Sequence, residues 1–357
     1  MNTYMLDAVR WKLRRFFIRL LHWEYWPMKI TYFPLLPYWC WLSIKARSFF
    51  FFSAANPSIQ YAGFIQERKS NIYKLIPQQF YPQTVFCSAN ATLHEIELQL
   101  QKQNFTFPLI AKPDIGERGV QVKLIHSLDD LKLYSRQSKV DFLLQEFIDY
   151  DYEAGIFYYR IPGENQGHIS GIVTKDLLAV TGNGQSNIEE LLQRNDRSVL
   201  QIPTLKSIYG DYLETVLPEG KTQTLVPYGN HCRGAKFVDE SFRINNKLSN
   251  SIDQICKRIP GFYFGRLDIK FKSWEDLENG KHFSIIELNG AGSEPTHIYD
   301  PSHSLFYGWA EICKHWKLLY QISLINSQQL SIPLMSFTQG MEMKKAHELH
   351  LALMTQV

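Results

Sequence analysis

The sequence predicts a mixed α/β (α+β) chain of one or two domains, and three observations carry that prediction. Apolar runs of strand length alternate with capped amphipathic stretches from Asn104 onward. Two late apolar runs, Phe262–Phe271 and Phe283–Leu288, set polar residues two apart, Arg266, Asp268 and Lys270 in the first and Glu287 and the following Asn289 at the end of the second, the period of a strand with two unlike faces. The 357 residues are 45% hydrophobic and include 23 Phe, 19 Tyr and 8 Trp, enough apolar surface for packed cores and too much for a disordered chain.

Residues 7–26 read as a basic aromatic helix: Val9, Leu13, Phe16, Phe17, Leu20 and Leu21 recur at helical spacing with Arg and Lys between them. Phe49–Ser53 reads as a buried strand, Asn56-Pro57-Ser58 as a turn, and Glu67–Ile76 as a short helix. Tyr81–Cys87 then gives a strand and Leu93–Gln103 a helix, closing a small α/β lead-in over residues 49–104. Phe107–Lys112 is a strand, Pro113–Gly119 a glycine-containing loop, and Val120–Ile125 the returning strand. Ser127 caps a helix to about Ser138, and Phe142–Phe147 is a strand running into an acidic connector. Ala154–Arg160 and His168–Lys175 form a strand pair around Pro162-Gly163. Ser186-Asn-Ile-Glu189 reads as a capping box opening a helix. Asn245–Arg258 is helical, the two alternating strands follow, and the tail from about Ser304 is mostly helix. The expected division is a segment 1–48, the lead-in 49–104, a main domain 105–325 and a tail 326–357.

A formal charge of +3 gives no argument for nucleic acid, and none is expected as a partner. Its distribution is uneven. Residues 1–48 hold eight basic residues against Asp7 and Glu24, and five of the eight Trp, so the remainder is acidic. Such a segment suits a bilayer surface, cations near headgroups and rings in the interface; an ordinary helix packed on its own domain is the alternative. The run from Trp23 to Phe52 adds to the membrane-surface reading. Ile30–Ile44 is free of charge but holds Pro34 and Pro37 and is too short to span, and no secretory leader is evident. Five scattered cysteines without a C-x-x-C argue against a disulfide framework or a zinc site and fit a reducing compartment. The expected location is cytoplasmic, or peripheral on the inner face of the membrane.

Three constellations carry chemistry. In Gly265-Arg266-Leu-Asp268-Ile-Lys270 and Ile285-Ile286-Glu287-Leu-Asn289, strand alternation puts Arg266 and Asp268 on one face of the first and Glu287 and Asn289 on one face of the second. If those faces align, three oxygen donors converge as Mg²⁺ prefers, with Arg266 available to a phosphoryl group. In the second, Lys112 ends an apolar strand before Pro-Asp-Ile-Gly116-Glu117-Arg118-Gly119, where an ammonium and backbone N–H groups can meet phosphates. In the third, Leu143-Leu-Gln-Glu146-Phe-Ile148 followed by an acidic stretch to Glu153 offers apolar walls for a base and carboxylates for its polar edge and ribose.

In this order, these residues resemble the ATP-grasp superfamily, in particular its carboxylate–amine ligases such as D-alanine–D-alanine ligase, glutathione synthetase and the corresponding part of cyanophycin synthetase. The resemblance covers roughly residues 66–300 and includes Val180-Thr-Gly-Asn-Gly184-Gln-Ser-Asn-Ile-Glu-Glu-Leu in the middle of the chain. It implies two α+β lobes gripping ATP. It further implies Lys112 and Gly116–Gly119 on phosphates, Glu146 and Ile148 on adenine, Glu153 on ribose, and Lys74 as an earlier ATP lysine. Lys175 is a candidate for the terminal phosphates, and Asp268, Glu287 and Asn289 are implied ligands of two Mg²⁺, with Mn²⁺ a substitute. Arg266 would face phosphate, and Arg233, in Gly229-Asn-His231-Cys-Arg-Gly234, would meet a carboxylate or acyl phosphate. His231, His297 and His303 are left without a role. The implied reaction activates a carboxylate with ATP as an acyl phosphate and joins it to an amine, releasing ADP and phosphate. A phosphotransferase on the same fold and a membrane-surface protein that only binds nucleotide remain open alternatives. After Asn289 the chain departs from the Pro-Gly pair frequent in the family, running Gly-Ala-Gly-Ser-Glu294 instead.

Overall fold

A computed structural model describes residues 3–116, 119–226 and 234–354, with side chains from residue 9 onward. The chain divides into two units: Met1–Leu36, Thr174–Asp239 and His297–Trp309 in the first, and Pro37–Val173, Glu240–Thr296 and Ala310–Val357 in the second. The described strands are β1 (Thr84–Cys87), β2 (Leu109–Pro113), β3 (Lys123–Ile125), β4 (Phe142–Glu146), β5 (Tyr152–Tyr159), β6 (His168–Asp176), β7 (Leu178–Thr181), β8 (Thr222–Val226), β9 (Lys236–Asp239), β10 (Phe264–Phe271) and β11 (Phe283–Asn289).

The second unit holds two sheets. The smaller runs β1-β4-β2-β3 and is antiparallel at each junction. One face carries Val85, Leu109, Ala111, Phe142 and Leu144 into a core with Ile96 and Leu131 from the helices Leu93–Lys102 and Leu128–Gln137. Both helices start where the sequence predicts; a capping box of Thr92 and Glu95 opens the first, and Ser127, the expected cap of the second, accepts from the Asp130 amide. β1, expected in a separate lead-in, is a strand of this sheet. In the larger sheet, β10 pairs antiparallel with β11 on one side and β5 on the other. Leu267, Ile269 and Phe271 alternate into a core with Ala154, Ile156 and Tyr158 of β5, sealed by Leu248, Ile252, Ile255 and Cys256 of the helix Asn246–Lys257. That leaves Arg266, Asp268 and Lys270 on the other face.

A second core is aromatic. Trp39 lies 4.5 Å from Phe51 and 4.9 Å from Trp316, centroid to centroid, and Phe52 stacks on Phe64 at 3.8 Å. The expected strand at Phe49–Ser53 is instead a short 3-10 turn, Phe51–Ala54. Side chains, not a neighbouring strand, satisfy its backbone: the Ala54 amide donates to Ser323 Oγ at 3.0 Å, Ser323 Oγ donates to the Phe51 carbonyl, and Asn326 Nδ2 donates to the Ala54 and Ala55 carbonyls. Much of the aromatic run before Phe52 is therefore core: Trp39, Leu42 and Phe50–Phe52 are buried.

Asn56 is a hub, fully buried. Its Nδ2 donates to the carbonyls of Ala62 (2.9 Å) and Phe264 (2.8 Å), and its Oδ1 accepts from the amides of Tyr263 (2.9 Å) and Phe264 (3.0 Å). The segment after Asn56 is thus tied to the start of β10. The same segment receives the chain after β11: the Ala291 and Gly292 amides donate to the Ala62 and Gly63 carbonyls at 2.9 Å each. Glycine is required at this crossing. Gly63 has φ of +72°, and a Cβ on Gly290 would meet Ala62 O at 2.5 Å and Gly63 Cα at 2.7 Å.

In the first unit, β7 and β8 pair antiparallel beside short helices, among them Ile188–Gln193 and Ile202–Tyr209. The helix Thr3–Leu21 packs here through Trp11 and Ile18. Arg197 holds the following turn by a two-pronged contact to Glu24, 2.9 Å to each carboxylate oxygen. The capping box falls one residue later than expected: Asn187 and Glu190 form it, because Ser186 Oγ accepts from Arg194 at 2.7 Å and its amide is taken by Asn183. Among the described residues, no helix is long and apolar enough to cross a membrane.

Candidate active site

The register of β10 against β11 builds the centre of the site. Asp268 lies opposite Glu287 and Arg266 opposite Asn289, so all four side chains share one face. On the other side Asp268 is opposite Gly155 of β5. A Cβ there would meet Asp268 Oδ1 at 3.1 Å and Arg266 Cδ at 3.2 Å, so glycine keeps the space over the carboxylate open. Asp268 is 4% exposed and receives Arg266 in a fork, Nε to Oδ1 at 2.8 Å and Nη2 to Oδ2 at 3.2 Å. The Arg266 guanidinium is held charged: burial opposes the charge, but Asp268, Glu287 and Glu294 outweigh it.

Lys69 approaches Glu287, and Lys112 the edge of β11 next to it. Asp114, buried at 1% exposure, accepts from the Ser70 amide (2.7 Å) and Ser70 Oγ (3.0 Å) and is paired with Arg68 at 3.1 Å. This fixes the start of the helix Lys69–Leu75 beside β2. Lys69 Nζ then reaches the Gly116 carbonyl at 2.7 Å and Glu287 Oε1 at 3.2 Å. Lys112 points away from the small core, because its neighbour Ala111 points in. Its Nζ donates to Tyr73 Oη (2.8 Å), Gln145 Oε1 (2.8 Å) and the Ile286 carbonyl (2.9 Å), while Tyr73 Oη donates to that carbonyl at 2.6 Å.

Burial, which disfavours the ammonium, lowers Lys112 to about 7; Lys69 adds to the shift and Glu287 opposes it. Glu287 would be raised by burial, but Lys69, Lys112 and Arg266 hold it below the usual carboxylate range. Glu67 is pushed up to about 8 by burial, with Glu287 adding to the shift, and its Oε2 accepts from the Gly290 amide at 3.3 Å.

The donors fit a hard divalent cation. Asp268 and Glu287 supply carboxylate oxygens and Asn289 an amide on the same face. Asn289 Nδ2 is buried with no hydrogen-bond partner. Turning that amide end for end puts an oxygen where the orphaned nitrogen stands, which a cation would satisfy. Among the described residues, no group of three or more His, Cys, Asp and Glu side chains could hold a metal ion, so a site here rests on two carboxylates and an amide.

The other expected residues are distributed as follows. Gly116 lies in the site through its carbonyl, and Gly119 turns with φ of +68°. Glu117, Arg118, His231 and Arg233 lie outside the described residues. Glu146 is exposed at the end of β4, where the Gln83 amide reaches its Oε2 at 3.4 Å; its neighbour Gln145 is the residue that meets Lys112. The Ile148 carbonyl accepts from Lys270 Nζ at 3.0 Å, and Glu153 stands opposite Lys270 across β5 and β10. Lys74 is exposed, reaches Asn71 at 3.3 Å, and lines a cleft of about 320 Å³ with Glu67 and Arg68. The lysine of this helix that meets Glu287 is Lys69. Lys175 belongs to the first unit, as do His297, which is buried, and His303, whose Nε2 lies 2.8 Å from Asp239 Oδ2. Sequence reasoning missed Lys69, Tyr73, Gln145 and Glu67. The available signal was the charged run Glu67-Arg68-Lys69 immediately before an apolar helical pattern.

No protein-family model matches the chain, and no curated protein sequence does. Solved structures are similar to it in part. A bifunctional glutathione synthetase from Pasteurella multocida overlaps 71% of this chain and 35% of its own, at 14% identity and a TM-score of 0.39. The D-alanine–D-alanine ligase of Bacillus anthracis overlaps 73% of this chain and 68% of its own, at 14% identity and 0.41. That of Coxiella burnetii overlaps 82% and 64%, at 10% identity and 0.42. The chain spans about a third of the glutathione synthetase and about two thirds of each ligase. At these scores the likeness assigns no reaction.

Proposed function

We propose that the chain is an ATP-dependent ligase of the ATP-grasp type, activating a carboxylate as an acyl phosphate and joining it to an amine with release of ADP and phosphate. One observation carries this reading: the β10–β11 register that sets Asp268 across from Glu287 and Arg266 across from Asn289, with Lys69 paired to Glu287 and Lys112 at the edge of β11 beside them. Oxygen donors interleaved with cations suit a polyphosphate and its counter-ions.

Asp268, Glu287 and Asn289 would hold Mg²⁺, or Mn²⁺ in its place, which when bound offsets the charge of the β- and γ-phosphates. Arg266, held charged beside Asp268 on the same face, would offer its guanidinium to phosphate oxygens. Lys112 donates from the end of β2. The substrate carboxylate oxygen bonds to the γ-phosphorus as the bond to the ADP oxygen breaks. The amine lone pair then attacks the acyl carbon, phosphate leaves with the bonding pair, and the amine proton passes to solvent. The acid and the amine stay general.

Incubating the purified full chain with ATP, Mg²⁺ and pools of carboxylic acids and amines tests this. ADP formed together with a condensed product is expected by mass spectrometry. A stable phosphorylated acid without condensation replaces the ligase with a phosphotransferase, and a chain that neither binds ATP nor forms ADP overturns both.

The state of Lys112 gives a pH prediction. Its lowered value near 7 means that the free protein above neutrality holds largely the amine, whereas a bound phosphate favours the ammonium. ATP affinity should therefore fall as pH rises above about 7, steepening near 8 where Glu67 becomes an anion. Lys112→Met should weaken ATP binding by about tenfold or more and remove the earlier part of the slope. Calorimetric titration from pH 6 upward checks it; an unchanged slope in the variant contradicts this role for Lys112.

A further inference from the structure

We propose that the helix Thr3–Leu21 and the turn after it form a docking face for an anionic lipid bilayer, lying in the interface rather than crossing it. Val9, Leu13, Phe16 and Leu20, spaced four, three and four residues apart, make one stripe along the helix, and each is 48–59% exposed. The opposite stripe, Trp11 and Ile18, is the one that packs against Val199 and Leu200. Packing on its own unit therefore accounts for one side of the helix and leaves an apolar side facing out. Ile30 and Phe33, 55% and 71% exposed, are further outward apolar residues of the same unit.

Charge selects the occupant. Between Val9 and Leu21 stand five cations, Arg10, Lys12, Arg14, Arg15 and Arg19, and no acid. Arg10, Lys12 and Arg19 are exposed. At helical spacing they flank the apolar stripe, from where their stems can run along the apolar surface while the charges stay at headgroup level. Anionic headgroups balance such a rim. A second copy of the same face would set like charges against each other across a two-fold axis. No described helix crosses a membrane, so the contact is superficial.

Co-sedimentation of the full chain with vesicles tests the proposal. Binding to phosphatidylcholine vesicles containing phosphatidylserine is expected, with weaker binding to phosphatidylcholine alone and loss as salt rises. Leu13→Glu with Phe16→Glu should lower partitioning by about tenfold or more. Lys12→Gln with Arg19→Gln should lower it on the anionic vesicles by about fivefold per charge and leave the neutral ones unaffected. Circular dichroism melts verify that both variants fold, and if the first does not, the charge pair and the salt dependence decide alone. A wild type that stays in the supernatant, or variants that partition equally with it, overturns the proposal. So does a wild-type dimer in sedimentation velocity that ignores vesicles and that Leu13→Glu dissociates.

Discussion

Asp268→Asn is expected to lower ADP formation by about 10²–10³-fold, the usual scale for removing one preorganised electrostatic partner of phosphoryl or acyl transfer. The carboxylate is 4% exposed, lies opposite Glu287, and anchors Arg266 through both oxygens. The amide cannot neutralise Arg266 and is the weaker ligand for a hard cation. Stability responds as well. Stripping a buried ion pair of one partner costs about 3–5 kcal/mol; an amide oxygen that still accepts from Arg266, with Glu287 across the ladder, should hold the loss to about 2 kcal/mol. A thermal melt separates the two effects. A folded variant that has lost turnover supports the reading. A folded variant that forms ADP at the wild-type rate removes Asp268 from the site and the ligase proposal with it.

The second large effect is on folding. Asn56→Ala should destabilise the chain by about 3 kcal/mol or more, since it strips four hydrogen bonds from backbone groups around a fully buried side chain. Each buried group left unpaired costs about 1–3 kcal/mol. The Phe264 carbonyl and the Tyr263 and Phe264 amides lose these partners, while the Ala62 carbonyl keeps the Ala291 amide. Because Asn56 joins the Gly63 segment to the start of β10, the damage should reach the loop after Asn289, which rests on Ala62 and Gly63. Urea denaturation with a midpoint close to wild type would show that the four bonds are redundant. Asn56→Asp isolates the role of the Nδ2 donors, because it retains the acceptor while losing both donors.

What the sequence showed and what it hid divide by distance along the chain. The faces of β10 and β11 were readable because a period of two over Arg266-Leu-Asp268-Ile-Lys270 needs no partner to be seen. Their register depends on strand pairing, and the ladder sets Asp268 across from Glu287 and Arg266 across from Asn289. Lys69 was not readable, since its position depends on Asp114 capping its helix from 44 residues away. Asn56 looked like a turn residue because its partners at Tyr263 and Phe264 lie more than 200 positions on. The Phe49–Ser53 run failed for another reason: a short apolar stretch looks the same whether neighbouring backbone or the side chains of Ser323 and Asn326 satisfy it. At Ser186-Asn187-Ile188-Glu189-Glu190 two capping frames lie one residue apart, and the use of Ser186 by Arg194 and Asn183 selects between them.

β11 is the outermost strand of its sheet on the side where Tyr73 and Lys112 meet the Ile286 carbonyl. An unguarded strand at that position would offer its backbone to any extended segment from another molecule. A phenol and a lysine Nζ already occupy the acceptor in the middle of this border, so the residues proposed to prepare the site for phosphate also close it against runaway strand-by-strand self-association. Removing both donors, as in Tyr73→Phe with Lys112→Met, should therefore appear first as turbidity in concentrated solution.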